Sequence, residues 1–371
     1  MTCPDSSGPP PSGNLPLVAT VAVPQDYGLH DTFVRDGLAF LCVWDSGVLI
    51  YDVGHGVAGG SPSNPKRVGK VVTSGSGIGG AMAHNAWWFH GPTGEKKYLF
   101  VGQEGPGRIG VSSSGNIHVV DVSNLAQPVE VATYSMTGAG VHNFWMDEQA
   151  QVLFAAYYNG GVVALDVSGT LAGDLAAREL ARIQPGDSGD TFTWGVMQSG
   201  GSLYAVDMLS GLWQLTFTGS AFTVAGGGFN VPDRYGSDLW VRGNYAYTGT
   251  WGGATRGGRF GNAVKIWDVS LGGLPLLTDS IVVPSVATVS DVQVSSDSAL
   301  LVISTEHGDS AGVYVYGLAT PDKPVLRGVL YVLQGVHTAT VADIGGRRYV
   351  FAAQNPPSPA LLVIDITGVV P

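Results

Sequence analysis

Charge is scarce in this chain. Asp, Glu, Lys and Arg make up only 13% of its 371 residues, about half the usual share. Apolar residues for a core are correspondingly plentiful, and disorder is expected only at the ends. Basic charge is the scarcer kind: 18 Lys and Arg stand against 29 Asp and Glu, for a formal charge of −11. A phosphate backbone is repelled on average by such a chain, which argues against a nucleic-acid partner. Cysteine is nearly absent, and Cys3 and Cys42 cannot build a disulfide framework. No apolar run reaches the roughly 18 residues of a membrane-spanning helix, so no transmembrane segment is expected. Local metal-binding signatures are missing too: there is no HExxH, no CxxC and no Asp-rich calcium loop. The Gly-rich stretch GPGRIGVSSSG after Glu104 precedes no helix, which removes it as a phosphate cradle.

What the chain does have is repetition. The 55 glycines, set among Val, Thr, Tyr and Trp, point to many short strands joined by tight turns. The clearest unit is Val141 to Ser168, VHNFWMDEQAQVLFAAYYNGGVVALDVS: a His-headed strand, an acidic turn, a second strand, a Gly turn, and a third strand ending in Asp-Val-Ser. Seven segments align on it, headed at His30, His84, His142, Thr193–Trp194, Asp238, Asp291 and His337, at spacings of about 45 to 58 residues. We call them repeats 1 to 7 and their strands A, B and C. A fourth strand, D, follows in most, as in KRVGKVVT and VEVATYS; in repeat 3 the segment AGDLAARELARIQ could instead form a short helix. Asp52, Asp121, Asp166, Asp268 and Asp365 end strand C, where an Asp can bond its own downstream backbone and turn the chain.

Repeat 7 ends without a strand D. The chain start offers one, Leu15 to Val23, which resembles PVEVATYS. The expected fold is therefore all-β: a single seven-bladed β-propeller of four-stranded blades over residues 15–371, closed by the N-terminal strand completing the last blade, which removes open sheet edges. Residues 1–14 read as a flexible tail. Cys3 in that tail is a candidate lipid attachment point, which would place the protein outside the cytoplasm. Cys42, in the apolar run AFLCVW, is expected to be a buried thiol.

These units resemble the LVIVD-repeat family of bacterial β-propellers, whose signature is nearly met by Leu361-Leu-Val-Ile-Asp365. The resemblance implies a surface or extracytoplasmic protein and says little about chemistry. A more distant similarity is to selenium-binding-protein-like propellers, some of which hold metal through channel histidines.

In such a fold strand A lines the central channel, and the start of A and the end of B share one mouth. The strand-A heads bring His30, His84, His142 and His337, with Trp194, Asp238 and Asp291. The strand-B ends bring Asp45, Glu104, Asn159, Glu306, His307 and Gln354, together with Asp207 and Trp251. Converging imidazoles suit Cu or Zn, with acids accepting the second ring N–H. Strand-head side chains that only cap loops, and metal-free acid–base catalysis, are the alternatives. Arg256, Arg259 and Arg108 would make one rim cationic or stay solvated. His55, His90 and His118 fall away from the mouth, and Trp87, Trp145 and Trp240 are expected to pack between blades. The function expected is binding of a protein or small molecule at this mouth, with a metal-dependent oxidoreductase or hydrolase as the alternative.

Overall fold

The computed structural model describes residues 15–24, 28–75, 80–186, 191–228 and 234–371. The tail 1–14, with Cys3, lies outside the described residues. Those described are all-β: apart from one 3-10 turn, Ala176–Arg178, they hold strands and turns and no α-helix.

Each repeat pairs its own strands antiparallel in chain order. Repeat 1 is Asp31–Arg35, Leu38–Cys42, Val48–Asp52 and Lys66–Val71. Repeat 3 is Phe144–Asp147, Val152–Ala156, Val162–Asp166 and Glu179–Ile183, so its strand D forms just after the 3-10 turn. Repeat 4 is Thr193–Ser199, Ser202–Asp207, Gly211–Phe217 and Phe222–Gly227. Repeat 2 is Ala83–Trp88, Tyr98–Gln103, Ile117–Asp121 and Val129–Tyr134, extended by Gly173–Asp174 of repeat 3 running parallel to its outer strand. Repeat 5 (Tyr235–Arg242, Tyr245–Trp251, Ala263–Asp268, Leu276–Val282) joins repeat 6 (Thr288–Val294, Leu300–Glu306, Gly312–Gly317, Val325–Tyr331) through the pair Thr250 and Val289. Repeat 7 supplies Val336–Ile344, Arg347–Gln354 and Ala360–Asp365. Its outer position is taken by the N-terminal strand Leu17–Ala22, antiparallel, with Leu17 opposite Ile364 and Ala22 opposite Ala360.

Strands B and C read as unbroken apolar runs because both of their faces are covered. Successive side chains point to opposite faces of a strand. Leu38, Phe40 and Cys42 therefore pack with Leu99 and Val101 of repeat 2, while Ala39 and Leu41 pack with Phe351 and Leu361 of repeat 7. Similar clusters join repeats 2 and 3, 3 and 4, 4 and 5, 5 and 6, and 6 and 7. Each large side chain buried this way contributes about 1.5–3 kcal/mol. Cys42 is a buried free thiol. Strand A of every repeat touches strand A of the next, and that of repeat 7 touches that of repeat 1.

The Asp that ends strand C makes the turn into D. Asp121, Asp166, Asp268 and Asp365 each accept the backbone N–H two residues on. Asp52 accepts five, from residues 54, 55, 56, 58 and 60.

Candidate functional site

The site begins with an irregularity in strand A. In repeats 2, 4, 5, 6 and 7 the A–B register shifts, at Ala83/Asn85, Thr193/Gly195, Gly236/Leu239, Val289/Asp291 and Val336/Ala339. A residue squeezed in at such a bulge leaves the ladder and re-aims its side chain. His84, Trp194 and His337 are presented in this way. The irregularity also corrects the expected positions of Asp238 and Asp291. The residues equivalent to the histidine heads are Ser237 and Ser290; the two acids sit one step further along, level with Asp31, Asn85, Asn143 and Thr338. That second layer lines a cavity of about 220 Å³ beneath the mouth and does not reach the mouth itself.

The four histidines do converge. Ring centroids run from His337 to His30 at 4.0 Å, to His84 at 4.2 Å, to His142 at 4.2 Å, to Trp194 at 4.2 Å and to Trp251 at 4.9 Å, and return to His337 at 6.1 Å. All of these rings but His84 line a mouth cavity of about 530 Å³, and His84 lines the deeper cavity beneath it. Three imidazoles are kept neutral. Burial, then the neighbouring imidazoles, hold His30 and His84 well below the usual range, and burial brings His142 down to about 3. His142 donates Nδ1–H to Trp194 O at 2.7 Å. His337 differs: burial opposes its charge, but Glu306 overrides burial and raises it, through an Nδ1–Oε1 bond of 2.9 Å. Glu306 also takes both guanidinium nitrogens of Arg256, at 3.1 and 2.9 Å, and the Asn355 amide at 3.1 Å. It is thereby held well below the usual carboxylate range despite its burial.

Glu104 and two histidines form a distinct group. Tyr158 donates its hydroxyl to Glu104 Oε1 at 2.5 Å. The other oxygen lies 3.6 Å from His84 Nε2 and 3.9 Å from His30 Nε2. Those gaps are too long for hydrogen bonds. They are close to the roughly 3.3–3.5 Å that separates donors on one tetrahedral ion with bonds of about 2.0–2.1 Å. One ligand atom from each of His30, His84 and Glu104 fits within 4.8 Å of the others. His84 is only 2% exposed, and neither of its ring nitrogens makes a well-formed hydrogen bond among the described residues.

Beneath them, Asp31, Asp238 and Asp291 face the deeper cavity. Burial, then the Asp291 carboxylate, pushes Asp31 up to about 7. The same two causes raise Asp238 well above the carboxylate range, and burial raises Asp291. Asn143 donates to Asp238 at 3.0 Å, and Ala339 N–H to Asp291 at 2.6 Å.

The strand-B ends divide. Glu104, Glu306 and His307 line the mouth, as does Trp251. Asp45, Asn159, Asp207 and Gln354 do not. Asp45 accepts Met82 N–H at 3.2 Å, Asn159 bonds Ser113 and donates to Gly138 O, and Asp207 accepts the N–H of Phe192, Leu209 and Ser210. Trp44 and Tyr158 occupy the mouth instead, because both adopt left-handed backbone, φ 41° and 42°, which turns the side chain inward and leaves the following polar residue to the loop. Trp87, Trp145 and Trp240 pack on the clusters between repeats, as expected, and also line the deeper cavity. His118 is fully buried on Glu130 at 3.0 Å, His90 bonds Glu148 through its backbone, and His55 is exposed. Of the rim arginines, Arg256 enters the mouth, Arg259 stacks on Tyr235 and Arg108 is exposed.

The family model described as LVIVD repeat matches residues 111–136 and 233–254, the third and fourth strands of repeat 2 and the first two of repeat 5. Similar solved structures include a chain of "Crystal Structure of Mitotic Checkpoint Complex", with a TM-score of 0.64 at 13% identity over 96% of this chain and 97% of that one. Another is the WD40 β-propeller domain of Doa1, at 0.60 and 12% over 95% and 96%. The chain is a β-propeller carrying LVIVD repeats. No curated protein matches it in sequence, and the structural likenesses, at such low identity, establish the propeller fold alone. Within this propeller no helix among the described residues is long and apolar enough to cross a membrane.

Proposed function

We propose that this propeller is a ligand-binding protein whose channel mouth holds a transition metal, Zn or Cu, on His30, His84 and Glu104. We take its blades to number seven and its ring to be closed by Leu17–Ala22; the strand-A contacts that run from repeat 7 back to repeat 1 support this. The observation that carries the metal reading is His84. Its two nitrogens make no well-formed hydrogen bond, the neighbouring Asn85 side chain giving only a weak one; a buried imidazole so placed is costly, and a metal on Nε2 beside Glu104 would offset that cost. The donor set is imidazole plus carboxylate; burial disfavours a proton on the two histidines and favours one on Glu104, which a bound metal would displace.

Elemental analysis of untagged protein, after incubation with Zn or Cu and desalting, tests the reading. About one ion per chain is expected, falling at least tenfold in His84→Ala. Less than about 0.1 ion per wild-type chain refutes a resident metal. Unchanged stoichiometry in His84→Ala removes this donor assignment even if a metal is bound.

A further inference from the structure

The mouth cavity has two unlike walls. One carries the acids and imidazoles. The other is made of flat rings: Tyr158 and Phe192 stack at 4.3 Å with planes 25° apart, and Trp194 meets Trp251 at 4.9 Å. Met208 and Ile109 complete it. Ile109 arrives on a hairpin that the other repeats lack among the described residues, Gly105–Arg108 paired with Ser112–Ser114. Its tip crosses to repeat 4, where a Cβ at Gly110 would lie 3.0 Å from Leu209 Cδ1, and Ile109 packs on the cluster of Tyr158, Phe192 and Trp194. The hairpin starts directly after Glu104, so one segment both delivers the carboxylate and roofs the aromatic wall.

Three protein donors leave a tetrahedral ion one open position. The cations of the mouth are committed elsewhere: Arg256 grips Glu306 with both nitrogens and lies 3.8 Å over Trp251, and His337 donates to the same carboxylate. With Glu104 as its one anionic donor, a divalent ion on these residues would keep a net positive charge and favour an oxygen that becomes anionic on binding.

We propose that the mouth binds a planar phenol, whose oxygen fills the open metal position while its ring lies against Tyr158, Phe192 and Ile109. The inference rests on the metal reading above for the oxygen contact and on the aromatic wall alone for the ring. As the oxygen bonds the metal, the phenolic O–H bond breaks and its proton leaves to solvent. A cavity of about 530 Å³ is within the range of small-molecule sites. Ring-on-ring packing favours an aromatic ligand over an aliphatic one of equal area.

The probe is 4-nitrocatechol, whose visible absorption shifts when a metal takes one of its phenolic oxygens and whose ring quenches tryptophan fluorescence. Zn-loaded wild type is expected to give both signals, with affinity about tenfold or more above that of metal-free protein, which gives quenching alone. Ile109→Trp, which fills the space beside the wall and touches no proposed donor, should keep its Zn and lose at least about tenfold in affinity. trans-1,2-Cyclohexanediol should compete at least about tenfold less well than catechol. Binding to Ile109→Trp as tight as to wild type, or equal competition by the aliphatic diol, overturns the aromatic site. Quenching without an absorption shift in Zn-loaded protein overturns the oxygen contact. If no Zn binds at all, the metal reading fails separately, and metal-free quenching with its diol control still decides the wall.

Discussion

Glu306 is the most heavily bonded acid of the mouth. Two opposite linkages meet on it. The ionised Glu306 contributes stability above its ordinary value of 4.5, lost as pH falls through its depressed folded value. The protonated His337 contributes fully below its ordinary value of 6.5, and that share is lost as pH rises through its raised folded value. Both are in force between about pH 4.5 and 6.5. Glu306→Gln should therefore cost about 3–5 kcal/mol in metal-free protein, most in that window, because Arg256 and His337 lose their buried partner. Urea titrations across pH check it, and a penalty that does not vary with pH contradicts the His337 pairing. Asp52→Ala should cost about 2–3 kcal/mol by freeing five N–H groups; the same urea titrations measure it. At this scale the sequence was readable where chemistry is loud. His30, His84, His142 and His337 stood out as heads and do meet. Asp238 and Asp291 were misplaced by one position, because Ser237 and Ser290 at the true heads are short and unremarked, and a bulge is invisible to a strict two-residue period. Trp44 and Tyr158 were passed over for Asp45 and Asn159, since a positive φ on a bulky residue has no sequence signature.

Among the elements, strands B and C were the most legible, because packing on both faces demands unbroken apolar runs such as LAFLC and VLFAA. Their Asp-ended turns were legible because an Asx turn needs only one residue type in one place. The hairpin Gly105–Ser114 leaves no strand signal in the sequence: its strands are Gly-Pro-Gly-Arg and Ser-Ser-Ser, with no apolar alternation to reveal them. The outer strand Leu17–Ala22 was found by likeness to another strand D and pairs with Ala360–Asp365. Its Val18, Ala19 and Val21 pack on the cluster between repeats 7 and 1. Deleting residues up to Val23 should lower the melting midpoint by more than about 5 °C. Calorimetry that finds the midpoint unmoved would refute a closing role.

For the whole molecule, the repeats are tied at the inner rim as well as through their apolar faces. His142 bonds Trp194 O, Ser237 bonds Val289 O, Ser290 bonds His337 O, and Thr338 bonds His30 O, each reaching from one strand A to the next. At the outer rim the fastening is different in kind. Leu17 faces Ile364 and Ala22 faces Ala360, so both chain ends leave the same end of one antiparallel pair. Tension applied between the termini therefore pulls along the hydrogen bonds of that pair and opens them one after another, as a zip opens, and no shearing of many bonds at once is required. Stretched between its ends, the molecule should first lose the bonds of Leu15 to Val329 O and of Arg327 to Pro371 O and then open from Leu17 and Ile364, while the inner rim still holds.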